Sequence, residues 1–132
     1  MKTILFVEDD ANIVEIYREG LLREGFEVLI AEDGLAAMKS LHNTKPDLVI
    51  LDLIMPKFSG AEVLKFIRTN PALKDTKVVV FSNDFLAEVA LDAKKLSADA
   101  TLLKFTCTLE QLINVVKTLL SDGHAGEEHL KL

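Results

Sequence analysis

The chain has 132 residues, 49% of them hydrophobic and 27% charged, with a formal net charge of −6. That is one domain's worth of sequence with an ordinary globular balance. The acidic excess, with no Lys/Arg cluster along any face, excludes duplex nucleic acid and anionic membrane as expected partners of the domain alone.

Residues 2–7 form a short apolar run rich in strand formers, closed by Glu8, Asp9 and Asp10. The period then turns helical over about 12–24, placing Ile13, Ile16, Tyr17, Gly20 and Leu21 on one face, and Gly25 supplies the stop. Residues 26–31 read as a second strand. After Asp33 and Gly34, a helix carries Leu35, Met38 and Leu41 at core spacing. Leu48 to Leu51 are four consecutive apolar residues, the mark of a strand buried on both faces. Asp52 follows directly, a carboxylate at the edge of the core, and an ion there costs several kcal/mol, to order of magnitude, unless it is paired or coordinated.

Residues 56–60 read as a loop and 61–68 as a helix with Val63, Leu64 and Ile67 inward; Asn70 and Pro71 break it. A fourth strand over 77–81 ends at Ser82, Asn83 and Asp84, a helix follows over about 85–96, and a fifth strand over 100–103 ends at Lys104. Thr108 starts a last helix, with Gln111 in capping-box position and Leu109, Leu112, Ile113, Val116, Leu119 and Leu120 on one stripe. Five alternations of strand and helix imply an α/β fold, a parallel sheet with helices on both faces joined by right-handed crossovers. The domain is expected over 1–121, with 122–132 a polar, mobile tail.

In such a sheet ligands bind at the carboxyl ends of the strands. The first strand ends in Glu8, Asp9 and Asp10, the third in Asp52, the fourth in Ser82 and Asn83, and the fifth in Lys104, so all should line one rim. Carboxylates about 4 Å apart repel by roughly 1 kcal/mol per pair in water and about 4 at an effective dielectric of 20. A dication relieves this. An all-oxygen donor set selects Mg²⁺ or Mn²⁺ over zinc. The plainer alternatives are that the acids cap the first helix, that Ser82 caps the next one, and that Lys104 is solvated. Position argues for more: a hydroxyl, an ammonium and a metal converging on one carboxylate suit a phosphoryl group carried by it.

At this point the sequence resembles the receiver domain of two-component response regulators, over roughly residues 2–120. LDLIMPKFSG has the family's strand-end aspartate followed by Met-Pro and Gly, ILFVEDD its acidic start, VVVFS its fourth strand with the switch hydroxyl, and ATLLK its fifth with the lysine. The resemblance implies a flavodoxin-like (βα)5 fold with strand order 2-1-3-4-5. It implies that Asp52 accepts a phosphoryl group from a phosphohistidine of a histidine kinase or phosphotransfer protein. Asp9, Asp52 and the backbone carbonyl of Ile54 would ligate Mg²⁺, with Glu8 holding a metal-bound water. Lys104 would pair with the phosphoryl oxygens and Ser82 would hydrogen-bond to them on activation, while Asp10 falls outside the acidic pair and is expected to be a helix cap.

Three positions depart from the family pattern. Thr101 stands where an aromatic switch residue is usual, Phe105 follows the lysine where proline is usual, and Asn83 replaces a small residue after the switch hydroxyl. A cis bond before a non-proline costs about 2.5–4 kcal/mol, so Lys104–Phe105 is either trans or held cis by its surroundings. The departures leave the phosphorylation chemistry intact and weaken the usual activation mechanism. The expected function is a non-enzymatic, single-domain phosphoacceptor signalling through a downstream protein, since about a dozen residues after the last helix leave no room for a DNA-binding module. The alternative is an interaction module on the same fold whose binding is phosphorylation-independent. A flavodoxin is disfavoured because Glu8, Asp9 and Asp10 would repel a phosphate after the first strand, and an aspartyl-phosphate hydrolase because it would carry a nucleophile on that strand with a second Asp two residues on and needs no Asp52. The lone Cys107 permits no internal disulfide and reads as a packing residue. The N-terminal apolar run is too short for a signal peptide and no run reaches membrane-spanning length, so the expected location is the cytoplasm.

Overall fold

The computed structural model describes residues 1–53, 59–82, 97–104, 106–121 and 130–131, with the side chains of 82, 130 and 131 outside the description. The elements run β1 (Thr3–Val7), α1 (Ala11–Arg23), β2 (Glu27–Ala31), α2 (Gly34–Asn43), β3 (Leu48–Leu51), α3 (Gly60–Thr69), β4 (Lys77–Ser82), β5 (Ala100–Leu103), α4 (Leu109–Leu120) and β6 (Leu130–Lys131). All pairings are parallel, in the order β2-β1-β3-β4-β5-β6. The first five strands have the flavodoxin-like order expected. Two residues of the expected tail continue the sheet, Leu130 beside Ala100 and Lys131 beside Thr101. The helix expected over 85–96, with Phe85, lies outside the described residues, as does most of the expected 56–60 loop.

Strand residues alternate between two cores, as a period of two requires. Leu5, Val7, Val49, Leu51, Val78 and Val80 pack with Ala37, Leu41, Val63, Leu64 and Ile67 of α2 and α3. Ile4, Phe6, Leu48, Ile50, Val79, Phe81, Ala100 and Leu102 pack on the other face with Leu21 of α1 and Leu112, Val115, Val116 and Leu119 of α4. The inward face of α3 is the expected one. On α1 the structure places Ile16 outward at 58% exposure, and on α2 Leu35 is exposed while Ala37 is buried. Val115 joins the stripe of α4. No helix among the described residues is long and apolar enough to cross a membrane.

The helix starts follow their side chains. Asp10 caps α1 by accepting from the amides of Asn12 and Ile13, and Asp33 caps α2 through Ala36. Ser59–Glu62 and Thr108–Gln111 are complete capping boxes for α3 and α4. At the opposite end of the sheet Arg68 joins Asp99 at 2.8 Å and donates to the carbonyls of Ser97, Lys74 and Thr76. The Asp99 carboxylate also accepts from Val78 N at 2.7 Å. This cluster ties α3 to the entrances of β4 and β5, so the far ends of those strands are positioned from a fixed base.

Gly60 closes the connection after β3. Its amide donates to Leu53 O at 3.0 Å, and a Cβ there would lie 2.2 Å from Asp52 O and 2.5 Å from Leu53 Cα. Backbone cannot yield as a flexible side chain does. Gly60→Ala should therefore destabilise the chain by about 1–3 kcal/mol, the range for an overpacked site. A lowered urea midpoint with an unchanged denaturant slope is the expected result.

Candidate functional site

The site forms where the apolar runs stop. One step beyond the paired residues of β1 and β3, Glu8 N donates to Ala31 O and Asp52 N to Val7 O, so the ladder carries both acids into place. Alternation does the rest. Glu8 follows Ile4 and Phe6, Asp52 follows Leu48 and Ile50, and Lys104 follows Ala100 and Leu102, which places all three on the face covered by α1 and α4.

There the Lys104 ammonium meets both acids. It donates to Asp52 Oδ2 at 2.8 Å and forms an ion pair with Glu8 Oε1. Glu8 is 1% exposed and Asp52 6%. The second Glu8 oxygen, Oε2, accepts from Asp10 N at 3.0 Å, while Oε1 has no hydrogen bond of regular geometry. Asp9 stands at the same rim with an exposed side chain. Carboxylate oxygens of Glu8, Asp9 and Asp52 lie within 4.8 Å of one another.

Among the described residues the Lys104 ammonium contacts both buried acids. Burial pushes the Glu8 carboxyl above its ordinary value of 4.5, against the opposing Lys104 contact and the Asp10 amide. Burial alone would lower Lys104; the hydrogen bonds and charges of Asp52 and Glu8 outweigh it and hold the ammonium above its ordinary 10.5. Lys104 is thus firmly charged, and its contact with Glu8 does not fully offset that acid's burial. A dication fits this donor set: three carboxylates, all hard oxygen ligands, with one buried oxygen short of a regular partner. Glu8, Asp9 and Asp52 would hold it.

Asp10 faces away from this cluster as a helix cap, as the sequence implied. Thr101 is a half-buried strand residue paired in register with Val80. Ser82 pairs through its backbone with Leu103, which sets it at the same rim, but its side chain, Ile54, Asn83 and Phe105 lie outside the described residues. Two residues that read from the sequence as core packing stand beside the site. The ring of Phe81 lies under the Lys104 ammonium, 5.8 Å from centroid to Nζ, and Tyr17 packs on that ring. The alternation Val79–Phe81 on the same face as Leu102 was the available signal. Cys107 is buried, and burial raises its thiol, consistent with a packing residue.

A family model for the response regulator receiver domain matches residues 4–117. Over 120 residues the chain is 35% identical to the response regulator MprA of a Mycobacterium species (strain KMS), covering 89% of this chain and 50% of that protein. Matches to the alkaline phosphatase synthesis transcriptional regulatory protein PhoP of Bacillus subtilis and to MprA span 28% and 50% of those proteins, so the chain spans half or less of these curated relatives. Among solved structures, the chemotaxis response regulator CheY4 of Vibrio cholerae superposes with a TM-score of 0.82 at 26% identity, covering 91% of this chain and 99% of that one. The Mn²⁺-bound form of response regulator Rcp1 superposes with a TM-score of 0.77 at 32% identity, covering 92% and 94%.

The raised Glu8 value has a sign that can be checked. Without metal, the folded state holds this proton more tightly than the unfolded chain, so the Glu8 contribution to stability falls as pH rises from 4.5 through the higher folded value. A dication held by these carboxylates would take the place of that proton. Excess Mg²⁺ should therefore raise the melting temperature at pH 7, by about 2.7 kcal/mol of stability at a hundredfold excess over Kd, and by less at pH 5. Equal shifts at both pH values would contradict the assignment.

Proposed function

The chain belongs to the response regulator receiver domain family, and from that premise we propose that it accepts a phosphoryl group on Asp52 from a phosphohistidine of a histidine kinase or phosphotransfer protein. Phosphorylation and Mg²⁺ are characteristic of this family, whose members are phosphoacceptor signalling domains rather than classical enzymes. The observation that carries the reading is the buried Asp52 carboxylate held at 2.8 Å by Lys104 beside the acids Glu8 and Asp9.

An Asp52 carboxylate oxygen attacks phosphorus in line with the phosphohistidine nitrogen. The P–O bond forms as the P–N bond breaks, and the electron pair of the P–N bond returns to the imidazole. Such transfer needs alignment and neutralisation of charge on the equatorial oxygens, with little covalent help from the protein. Lys104 supplies a positive charge already placed beside Asp52, where it would pair with the phosphoryl oxygens as they arrive. Asp9, Asp52 and the Ile54 carbonyl would hold Mg²⁺, with Glu8 holding a water bound to it, and the ion would supply the remaining neutralisation. Ser82, at the rim by its backbone register, would donate its hydroxyl to the phosphoryl group, and Asn83 beside it would limit access of water. The phosphorylated domain signals through a downstream protein.

A second reading, binding that ignores phosphorylation, draws on one feature: Thr101 provides a hydroxyl where a ring would otherwise report the state of the site. Output partners distinguish the two readings by their affinity for phosphorylated and unphosphorylated chain.

Incubation with Mg²⁺ and a small phosphodonor, followed by intact mass measurement, should show one added phosphoryl group on the wild type and none on Asp52→Asn. Removal of Mg²⁺ by a chelator should abolish the gain. An Asp52→Asn chain modified as fast as wild type would refute the role of Asp52.

A further inference from the structure

We infer that Phe81, backed by Tyr17, is the positioning residue for the Lys104 ammonium, an inference that rests on the reading of Asp52 as phosphoacceptor. It starts from strand order. β4 lies between β5, which leads to Lys104, and β3, which leads to Asp52. Neighbouring strands are roughly 4.8 Å apart, so a lysine from β5 reaches β3 only by passing over β4.

The register says which residue it passes over. Phe81 pairs with Leu102, two residues before Lys104 on the same face. Ile50 pairs with Val79, so the next same-face positions on those strands are Asp52 and Phe81. Phe81 therefore stands level with Asp52, directly beneath the path of the lysine. The ammonium lies 5.8 Å from the ring centroid, inside the roughly 6 Å within which a cation is attracted to an aromatic face. An aliphatic residue would floor the same path without that attraction.

The ring is itself held. Tyr17 packs against it at 5.2 Å between centroids and 75° between planes, and Phe6 at 6.3 Å and 64°. The Tyr17 hydroxyl then donates to Cys107 O at 3.0 Å, in the turn that leaves Lys104 for α4. Tyr17 thus joins the floor beneath the ammonium to the backbone just beyond the same lysine. With Thr101 in the usual aromatic position, Phe81 is the ring that meets the lysine among the described residues, and Tyr17 backs it.

The test is a double-mutant cycle of Phe81→Leu and Lys104→Ala in the full chain, read by urea unfolding at saturating Mg²⁺, with phosphorylation rates from a small phosphodonor measured beside it. The expected coupling is roughly 3- to 10-fold in the unfolding equilibrium constant, with Phe81→Leu costing less once Lys104 is gone. Phe81→Leu and Tyr17→Leu should slow phosphorylation by a similar factor, and Tyr17→Phe, which keeps the ring, should restore most of the rate. If Phe81→Leu does not fold, the two Tyr17 variants decide. Additive costs in the cycle, a wild-type rate in Phe81→Leu, or Tyr17→Phe as slow as Tyr17→Leu would each overturn the inference. A coupled cycle in a wild-type chain that takes no phosphoryl group would overturn the reading of Asp52 and leave the contact standing.

Discussion

One ammonium between two buried acids organises this protein. Lys104 contacts Asp52 and Glu8 together, and its charge offsets part of the cost of burying the two acids. Asp9 adds a third carboxylate at the rim, with oxygens of all three acids within 4.8 Å of one another. Hard oxygen donors grouped around an ammonium suit a centre that takes a dication and then an anionic group.

Holding that centre open demands a stiff frame. The strands are hydrogen-bonded up to the residues that bear the charges, so each carboxylate rests on a ladder rather than a free loop. At the other end of the sheet, Arg68 and Asp99 fix the entrances of β4 and β5 through five hydrogen bonds of the arginine and one to Val78. Gly60 lets α3 begin against the Asp52–Leu53 backbone, where any side chain would collide. Fold and site are coupled there by sterics alone.

Much of this was legible beforehand because it depends on local order along the chain. Alternation of strand and helix, the capping box at Thr108, Asp10 as a cap and the inward face of α3 all follow from spacing a few residues long. Ile16 and Leu35 are exposed and Val115 is buried, against the spacing. Periodicity says which residues share a helix face, but contact with the sheet and the neighbouring helix decides which of them are covered. Glu8 is the instructive case at the site. It was recognised as an acid near a metal; its pairing with Lys104 was not, because the two lie 96 positions apart in sequence and meet only across β3 and β4.

By itself, then, the sequence determined that apolar runs end in acids, a hydroxyl and a lysine at one rim of a parallel sheet, and which family shares that pattern. Only the tertiary structure decided who pairs with whom. Strand order brings β5 within a lysine's length of β3, and side-chain alternation puts Glu8, Asp52, Phe81 and Lys104 on one face. Burial then makes their charges answer to each other rather than to water. The physical reason is range: propensity and capping act over a few residues, whereas desolvation and charge pairing act over a few ångströms, whatever length of chain lies between.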